Sequence, residues 1–527
     1  MLNAALGLLA LFAASRIYKF WSGLKAVDYT PGIRCAFGAR SLLGFLIPKR
    51  LGALFYNPGP NFLWEMKRSG GFEGDTDAIS VVPWLHGDPA ILISSLEMMQ
   101  QVLGYSDEFD KFKNDSGAAL FGLNVATLQR EPWKKHRRVL NPAFSKKLYS
   151  LVWKESMRMF RDMVETEAWD KAGSATIPVV GDLTAKFTLN IVASCAFDFR
   201  STWSDSISTA GTGMSLSKCL KVVIEDAPVR ALAPKWAYFL PLKVLKRVDT
   251  AFTTLFAFLR AQVALRREKI ASEEMTGDDK AGKNTIFSNI VRANIEGGKF
   301  AFDEDEVISN TFVMLFAGHE TTARTLNGIL ALFGLYQDEQ EKVYEEIKRV
   351  LSNGRDPEFE DSESFTYLRK CIQETMRLYP PVSVLLREAV RDVHLSVTKR
   401  ATGEKSHDVV VKEGTHVLVN VVGIHYNPRH FPDPDSFKPS RWVDESLSSD
   451  AVFAGFGHGP RACIGRKFSL VEATCFLVML LRDWRVDVDL APGETPQEWQ
   501  QRMMTDRITP ARGLGPIPIR LSRRESR

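Results

Sequence analysis

Cysteine is scarce and unpatterned in this chain. Six occur in 527 residues, at Cys35, Cys195, Cys219, Cys371, Cys463 and Cys475. None shows paired spacing, which excludes a disulfide framework and fits a reducing compartment. Excess charge is also lacking: a formal net charge of +5 over this length carries no nucleic-acid message. There are no internal repeats, no low-complexity tracts and no dinucleotide-type G-x-G-x-x-G after a strand, so no built-in reductase is visible and electrons are expected from another protein. The nine histidines include His319 and His458, and neither has metal-ligand spacing to a second ligand.

Composition does not break cleanly after residue 50. Charge is absent from Met1 to Ala14, and Arg16, Lys19 and Lys25 follow at once. Fourteen residues are short for a bilayer span of roughly 20. The span extends through Ile17, Tyr18, Phe20 and Trp21 when Arg16 and Lys19 snorkel and the aromatic rings sit at the interface. A cleaved secretory signal would place positive charge before the apolar run, not after it. We expect residues 1–22 to be a membrane anchor, 23–60 a linker or membrane-surface segment, and 61–527 one catalytic domain. The positive-inside rule puts that domain in the cytosol, and Leu42–Pro48 is expected to contact the membrane surface.

The most informative stretch is Phe456-Gly457-His458-Gly459-Pro460-Arg461-Ala462-Cys463-Ile464-Gly465, a cysteine in a glycine-rich cradle beside an arginine. A metal-bound sulfur must stay deprotonated, so it needs nearby positive charge and backbone N–H groups. The glycines permit a tight turn and the close approach of a flat macrocycle. Arg461 is placed to pair with a haem propionate, and Phe456 to cover the proximal face. Upstream, Asp303 and Glu306 form a capping-box pattern opening a helix to about Leu335. Inside it, Ala317-Gly318-His319-Glu320-Thr321-Thr322 combines weak helix formers with a carboxylate. A ladder opened at Gly318 would admit water or dioxygen, with Glu320 and Thr321 relaying protons.

The ten-residue stretch resembles the haem-binding signature F-x-x-G-x-R-x-C-x-G of the cytochrome P-450 superfamily, and the rest of the chain resembles that family in order. Residues 317–322 are similar to its distal-helix A-G-x-[DE]-T-T. Glu374-Thr375-Met376-Arg377 resembles its E-x-x-R, and Pro439-Ser440-Arg441-Trp442 its P-x-R-[FW], implying a structural triad of Glu374, Arg377 and Arg441 that locks the loop delivering Cys463. Trp133-x-x-x-Arg137 and Arg387 resemble elements that hold the propionates. The basic neighbours Lys134, Lys135, Arg138, Arg466 and Lys467 would make a positive docking face for an electron donor.

The resemblance implies a mainly α fold with a small β region, haem b between the long distal helix and the proximal loop, and Cys463 as thiolate ligand of the iron, with Gly465 beside it. It implies a monooxygenase receiving electrons from NADPH through a separate reductase, with cytochrome b5 as a second donor, on the endoplasmic reticulum membrane in the manner of fungal microsomal enzymes. A haem-thiolate isomerase, dehydratase or peroxygenase is the alternative, against which the Glu320–Thr321 pair argues. The substrate wall implied by the family comprises Phe109, Phe112, Leu120, Phe121, Phe312, Phe316, Ala317 and Val382 to Leu386. It is almost wholly apolar, so the substrate is hydrophobic: terpenoid, fatty-acid-like or aromatic.

Independently of the resemblance, residues 387–422 alternate apolar and polar positions and read as strands around Thr402-Gly403-Glu404-Lys405. Residues 266–284 are charged and glycine-bearing and read as an exposed loop. Residues 425–442 read as an irregular meander.

Overall fold

The computed structural model describes residues 2–38, 41, 43–44, 56–59, 61–68, 75–104, 107–113, 120–205, 214–276, 285–443, 452–504, 506–507 and 513–524. Most of Leu42–Pro48 lies outside them. The chain forms two compact units.

The first unit comprises Met1–Asn114, Val382–Ser436 and Asp444–Ala462. It opens with helix α1, Leu2–Ala26, followed by strands β1 (Gly32–Phe37), β2 (Ala78–His86), β3 (Ala90–Ile93) and β4 (Phe109–Asp110). Within the segment expected to be a linker, β1 pairs in parallel with β2. Helix α1 is long and apolar enough to cross a membrane over Asn3–Ala26, and Leu8, Leu9, Leu11 and Ile17 are exposed on it. Its last turns belong to the fold, since Phe20 and Leu24 pack on the core of this unit.

The second unit comprises Asp115–Pro381, Phe437–Val443 and Cys463–Arg527. It holds helices α2 (Arg130–Leu140), α3 (Lys146–Thr166), α4 (Val180–Phe197), α5 (Lys243–Thr276), α6 (Glu304–Leu335), α7 (Thr366–Leu378) and α8 (Arg466–Asp483), among shorter ones. Its strand β5 (Ser174–Ile177) is followed in chain order by four strands of the first unit, β6 (Val384–Ala389), β7 (Val393–Thr398), β8 (Lys405–Val411) and β9 (His416–Asn420).

In the first unit the sheet order is β1-β2-β3-β9-β6-β4, with β7 and β8 as a separate hairpin. Period-two alternation divides the sheet residues between two cores: Val82, Ile91, Ile93, Val417 and Val419 enter one, and Val81, Leu92 and Leu418 the other. The strands expected from 387–422 are therefore present, and Gly403 at the hairpin turn has φ +76°. In the second unit β10 (Trp484–Asp487) and β5 flank β13 (Ile519–Arg523), and β11 (Asp506–Arg507) pairs with β12 (Gly513–Leu514).

Helix α6 is the axis of the second unit, buried over Val307–Val313 and again over Thr325–Leu335. Its capping box is complete: the Glu306 N–H donates to Asp303 at 2.7 Å and the Asp303 N–H to Glu306 at 3.0 Å. The ladder expected to open at Gly318 is instead continuous from Glu304 to Leu335. Gly318 serves packing, because a Cβ there would lie 3.1 Å from a Val192 methyl on α4.

The loop expected over 266–284 is helical as far as Thr276, and 277–284 lie outside the described residues. Its charges are the polar side of α5. Arg266 donates to Ser288 at 2.6 Å, Arg267 pairs with Glu304, and Lys269 reaches Asp198 at 3.0 Å. A charged run whose partners are distant in sequence looks like loop until the tertiary contacts are known.

Candidate functional site

Cys463 ends a loop that turns directly into α8. Two glycines make the turn, Gly457 at φ +72° and Gly459 at φ +70°. A Cβ on Gly459 would sit 2.3 Å from the Leu103 carbonyl oxygen, so no other residue fits. Gly465, by contrast, has an ordinary φ of −86° as the N-cap of α8, and its backbone N–H is directed to the Cys463 sulfur. Phe456 meets Phe453 edge-on at 6.0 Å.

Of the six cysteines, Cys463 alone is exposed. Its thiol is nonetheless closely surrounded by protein, and desolvation pushes it up. The Gly465 and Arg466 N–H groups and the guanidiniums of Arg137 and Arg466 pull it down. Those opposing donors are what a metal-bound thiolate requires.

Trp133 is buried and Arg137 half-buried one turn apart on α2. Burial lowers the pKa of Arg137 and the Cys463 charge opposes that. In the first unit Arg387 on β6 and Arg461 share a single carboxylate, Asp110, which Arg461 contacts at 2.6 Å. Burial, then repulsion from Arg461, pushes Arg387 down to about 10 against the pull of Asp110. Two guanidiniums grouped around one acid form a donor set suited to an anionic group such as a propionate. These residues fit the cofactor that the sequence implies.

The triad is tighter than its sequence pattern required. Glu374, fully buried on α7, accepts hydrogen bonds from Arg377 Nε at 2.9 Å and Nη2 at 2.8 Å, and from Arg441 Nε at 3.0 Å. Two further donors were not anticipated: Trp442 Nε1 at 2.9 Å and the Lys438 backbone N–H at 3.0 Å. The P-x-R-[FW] pattern asks only for an aromatic ring at the last position and is silent on the indole N–H of Trp442.

On α6, Thr321 Oγ1 donates to the Ala317 carbonyl at 3.0 Å. Glu320 is held by Arg324 one turn on, at 2.6 and 2.9 Å, with His319 Nε2 at 3.5 Å. Arg324 went unremarked in the sequence, although its i+4 spacing was there to be read. His319 is buried, its Nδ1 lies 2.9 Å from the Leu315 carbonyl, and desolvation lowers its pKa. No group of three or more metal-binding side chains occurs among the described residues.

The expected substrate wall divides. Phe109 and Phe112 are buried in the first unit, where Phe112 stacks on His416 at 3.8 Å. Phe312 is buried in the second. Leu120, Phe121 and Phe316 are half-buried, and Ala317 is exposed. The positive docking face is partly neutralised by acids: Lys134 pairs with Glu131 on its own helix at 2.6 Å, and the more distant Glu306 and Glu363 pair with Lys135 at 2.7 Å and Lys467 at 3.2 Å.

Fold and donor set together define the haem-thiolate class of proteins. The sequence matches the cytochrome P-450 family over residues 81–510. It is 31% identical over 507 residues to cytochrome P-450 monooxygenase 124 of Postia placenta, covering 94% of each chain. It is 28% identical over 432 residues to a cytochrome P-450 monooxygenase of Arthrobotrys oligospora, covering 72% of this chain and 71% of that one. A solved cytochrome P-450 haem domain superposes with TM-score 0.71 at 17% identity, over 94% of this chain and 98% of that one. The chain therefore belongs to the cytochrome P-450 family. It is an oxidoreductase of the monooxygenase kind, in a family that carries haem iron on a cysteine thiolate and works with redox partners and hydrophobic substrates.

Proposed function

We propose that this enzyme inserts one oxygen atom from dioxygen into a hydrophobic small molecule, with Cys463 as the thiolate that would hold the haem iron and electrons delivered from NADPH by a separate reductase, with cytochrome b5 as a second donor. The observation that supports the ligand assignment is that Cys463 is the exposed cysteine among six, with the Gly465 and Arg466 N–H groups directed at its sulfur and the charges of Arg137 and Arg466 acting on it. When bound, the haem supplies dioxygen activation. The protein's residues do the rest. Arg137, Arg387 and Arg461 would balance the propionate charge, and the Trp133 indole N–H would donate to a propionate. Phe456 would cover the thiolate once haem is bound, and the Glu374 cluster would hold its loop.

Thr321 Oγ1, which donates to the Ala317 carbonyl, would release that carbonyl to pass on a proton. Glu320 supplies protons from behind, with Arg324 fixing its carboxylate. Helix α1 is the anchor that keeps the catalytic domain, residues 61–527, on the cytosolic side of the endoplasmic reticulum membrane; its exposed leucines support this reading.

The reduced carbon monoxide difference spectrum tests the assignment. Wild-type protein should show the red-shifted Soret band of a thiolate-bound ferrous haem, and Cys463→Ser should abolish it. A serine variant that keeps the band would remove Cys463 as the ligand.

A further inference from the structure

Five phenylalanine rings in the second unit lie nearly parallel. Phe252 and Phe256 on α5 are 6.4 Å apart at 14°, and Phe256 meets Phe312 on α6 at 5.7 Å and 23°. Phe312 and Phe316, one helical turn apart, are separated by 5.8 Å at 7°. Phe121, from the segment before α2, closes the group at 4.8 Å and 17° to Phe312 and 6.3 Å and 24° to Phe316. Elsewhere in the same unit rings meet edge to face, as in Phe160–Phe476 at 80° and Trp169–Trp484 at 75°, or stack in a single pair, as in Trp153–Phe365 at 12°. Both arrangements are favourable for isolated pairs, so a run of parallel rings drawn from three segments of chain is a distinct local order.

The rings differ in exposure. Phe312 is buried and holds the stack together, whereas Phe121, Phe256 and Phe316 are only half-buried. Phe316 adjoins Ala317, the exposed methyl in the middle of α6, and Thr321 follows one turn later. The polar groups of this stretch are already engaged, Thr321 with the Ala317 carbonyl and Glu320 with Arg324. A side of α6 that presents ring surface and a methyl, with its carboxylate neutralised, recognises a flat uncharged molecule better than a branched or anionic one.

We propose that the substrate is a planar aromatic or fused-ring compound, bound as an added layer against Phe316 and Phe121. This rests on the monooxygenase reading above and selects among the substrate classes that reading leaves open. Terpenoid and fatty-acid-like molecules share the apolarity but cannot stack.

The test compares phenanthrene with its fully saturated analogue by equilibrium dialysis against detergent-solubilised holoenzyme, in wild type, Phe316→Leu and Phe121→Leu. Wild type should bind the aromatic partner about two- to tenfold tighter, the range one ring–ring contact supports. Each leucine variant should pull the ratio toward one while leaving the carbon monoxide spectrum unchanged. A wild-type ratio of one or below, no binding of either compound, or a ratio that survives both substitutions would overturn the proposal. The spectrum separately reports the haem-thiolate reading, so the two can fail independently.

Discussion

Two fully buried glutamates in the second unit receive opposite treatment. Glu374 on α7 accepts five N–H groups, including those of two guanidiniums. Glu472 on α8, nine residues beyond Cys463, has neither oxygen hydrogen-bonded. Burial alone sets its behaviour, pushing the carboxyl well above the ordinary range, so it is held as the neutral acid. Cys195 and Cys475 nearby are pushed up in the same way by burial. One carboxylate is thus an ionic hub that fixes geometry, and the other is a polar group tolerated in a core by keeping its proton. Burial does not assign a role to an acid; the donors that the fold brings to it do.

Breaking the hub should have the largest effect. Glu374→Leu leaves Arg377 and Arg441 buried without their carboxylate, and should cost about 3–5 kcal/mol, read as loss of the thermal transition and of haem retention. A variant that melts like wild type would show the cluster to be dispensable.

Glu472→Gln sharpens the contrast, because it should stabilise and do so in a pH-dependent way. The folded carboxyl pKa is raised, so the native state holds a proton that the unfolded chain releases above its ordinary value near 4.5. Wild-type stability therefore falls as pH rises through that value, by up to about 1.4 kcal/mol per pH unit, and the amide removes the slope. The difference in melting midpoint between variant and wild type should widen from pH 5 to pH 7. A constant difference would mean that Glu472 ionises in the fold.

Trp442→Phe probes the hub most gently. It removes one donor among five and should cost about 1.5 kcal/mol with the carbon monoxide spectrum preserved. No change in midpoint would return Trp442 to the status of a simple aromatic substitute.

The features legible in the sequence are those whose causes are local. The capping box of Asp303 and Glu306 is contained in four residues. The strands of 387–422 follow from alternation. The cysteine loop announces itself through glycines that must adopt positive φ. The order of motifs disclosed the family, because each is short and contiguous. What was missed depends on distant partners. The charged stretch after Arg266 reads as loop when its partners Asp198, Ser288 and Glu304 are invisible, and the open ladder at Gly318 was expected because the neighbouring Val192 was not in view.

The sequence by itself therefore determined the class of chemistry, since a thiolate loop, a Gly-Glu-Thr helix and a paired E-x-x-R are properties of short segments. The tertiary structure decided which charge meets which. Arg461 finds Asp110 across 351 residues of chain, Glu374 gathers Arg441 and Trp442 from 67 and 68 residues away, and Glu472 receives no hydrogen-bond partner among the described residues. Electrostatic and hydrogen-bond energies depend on distances of a few ångströms, and separation along the chain says almost nothing about those.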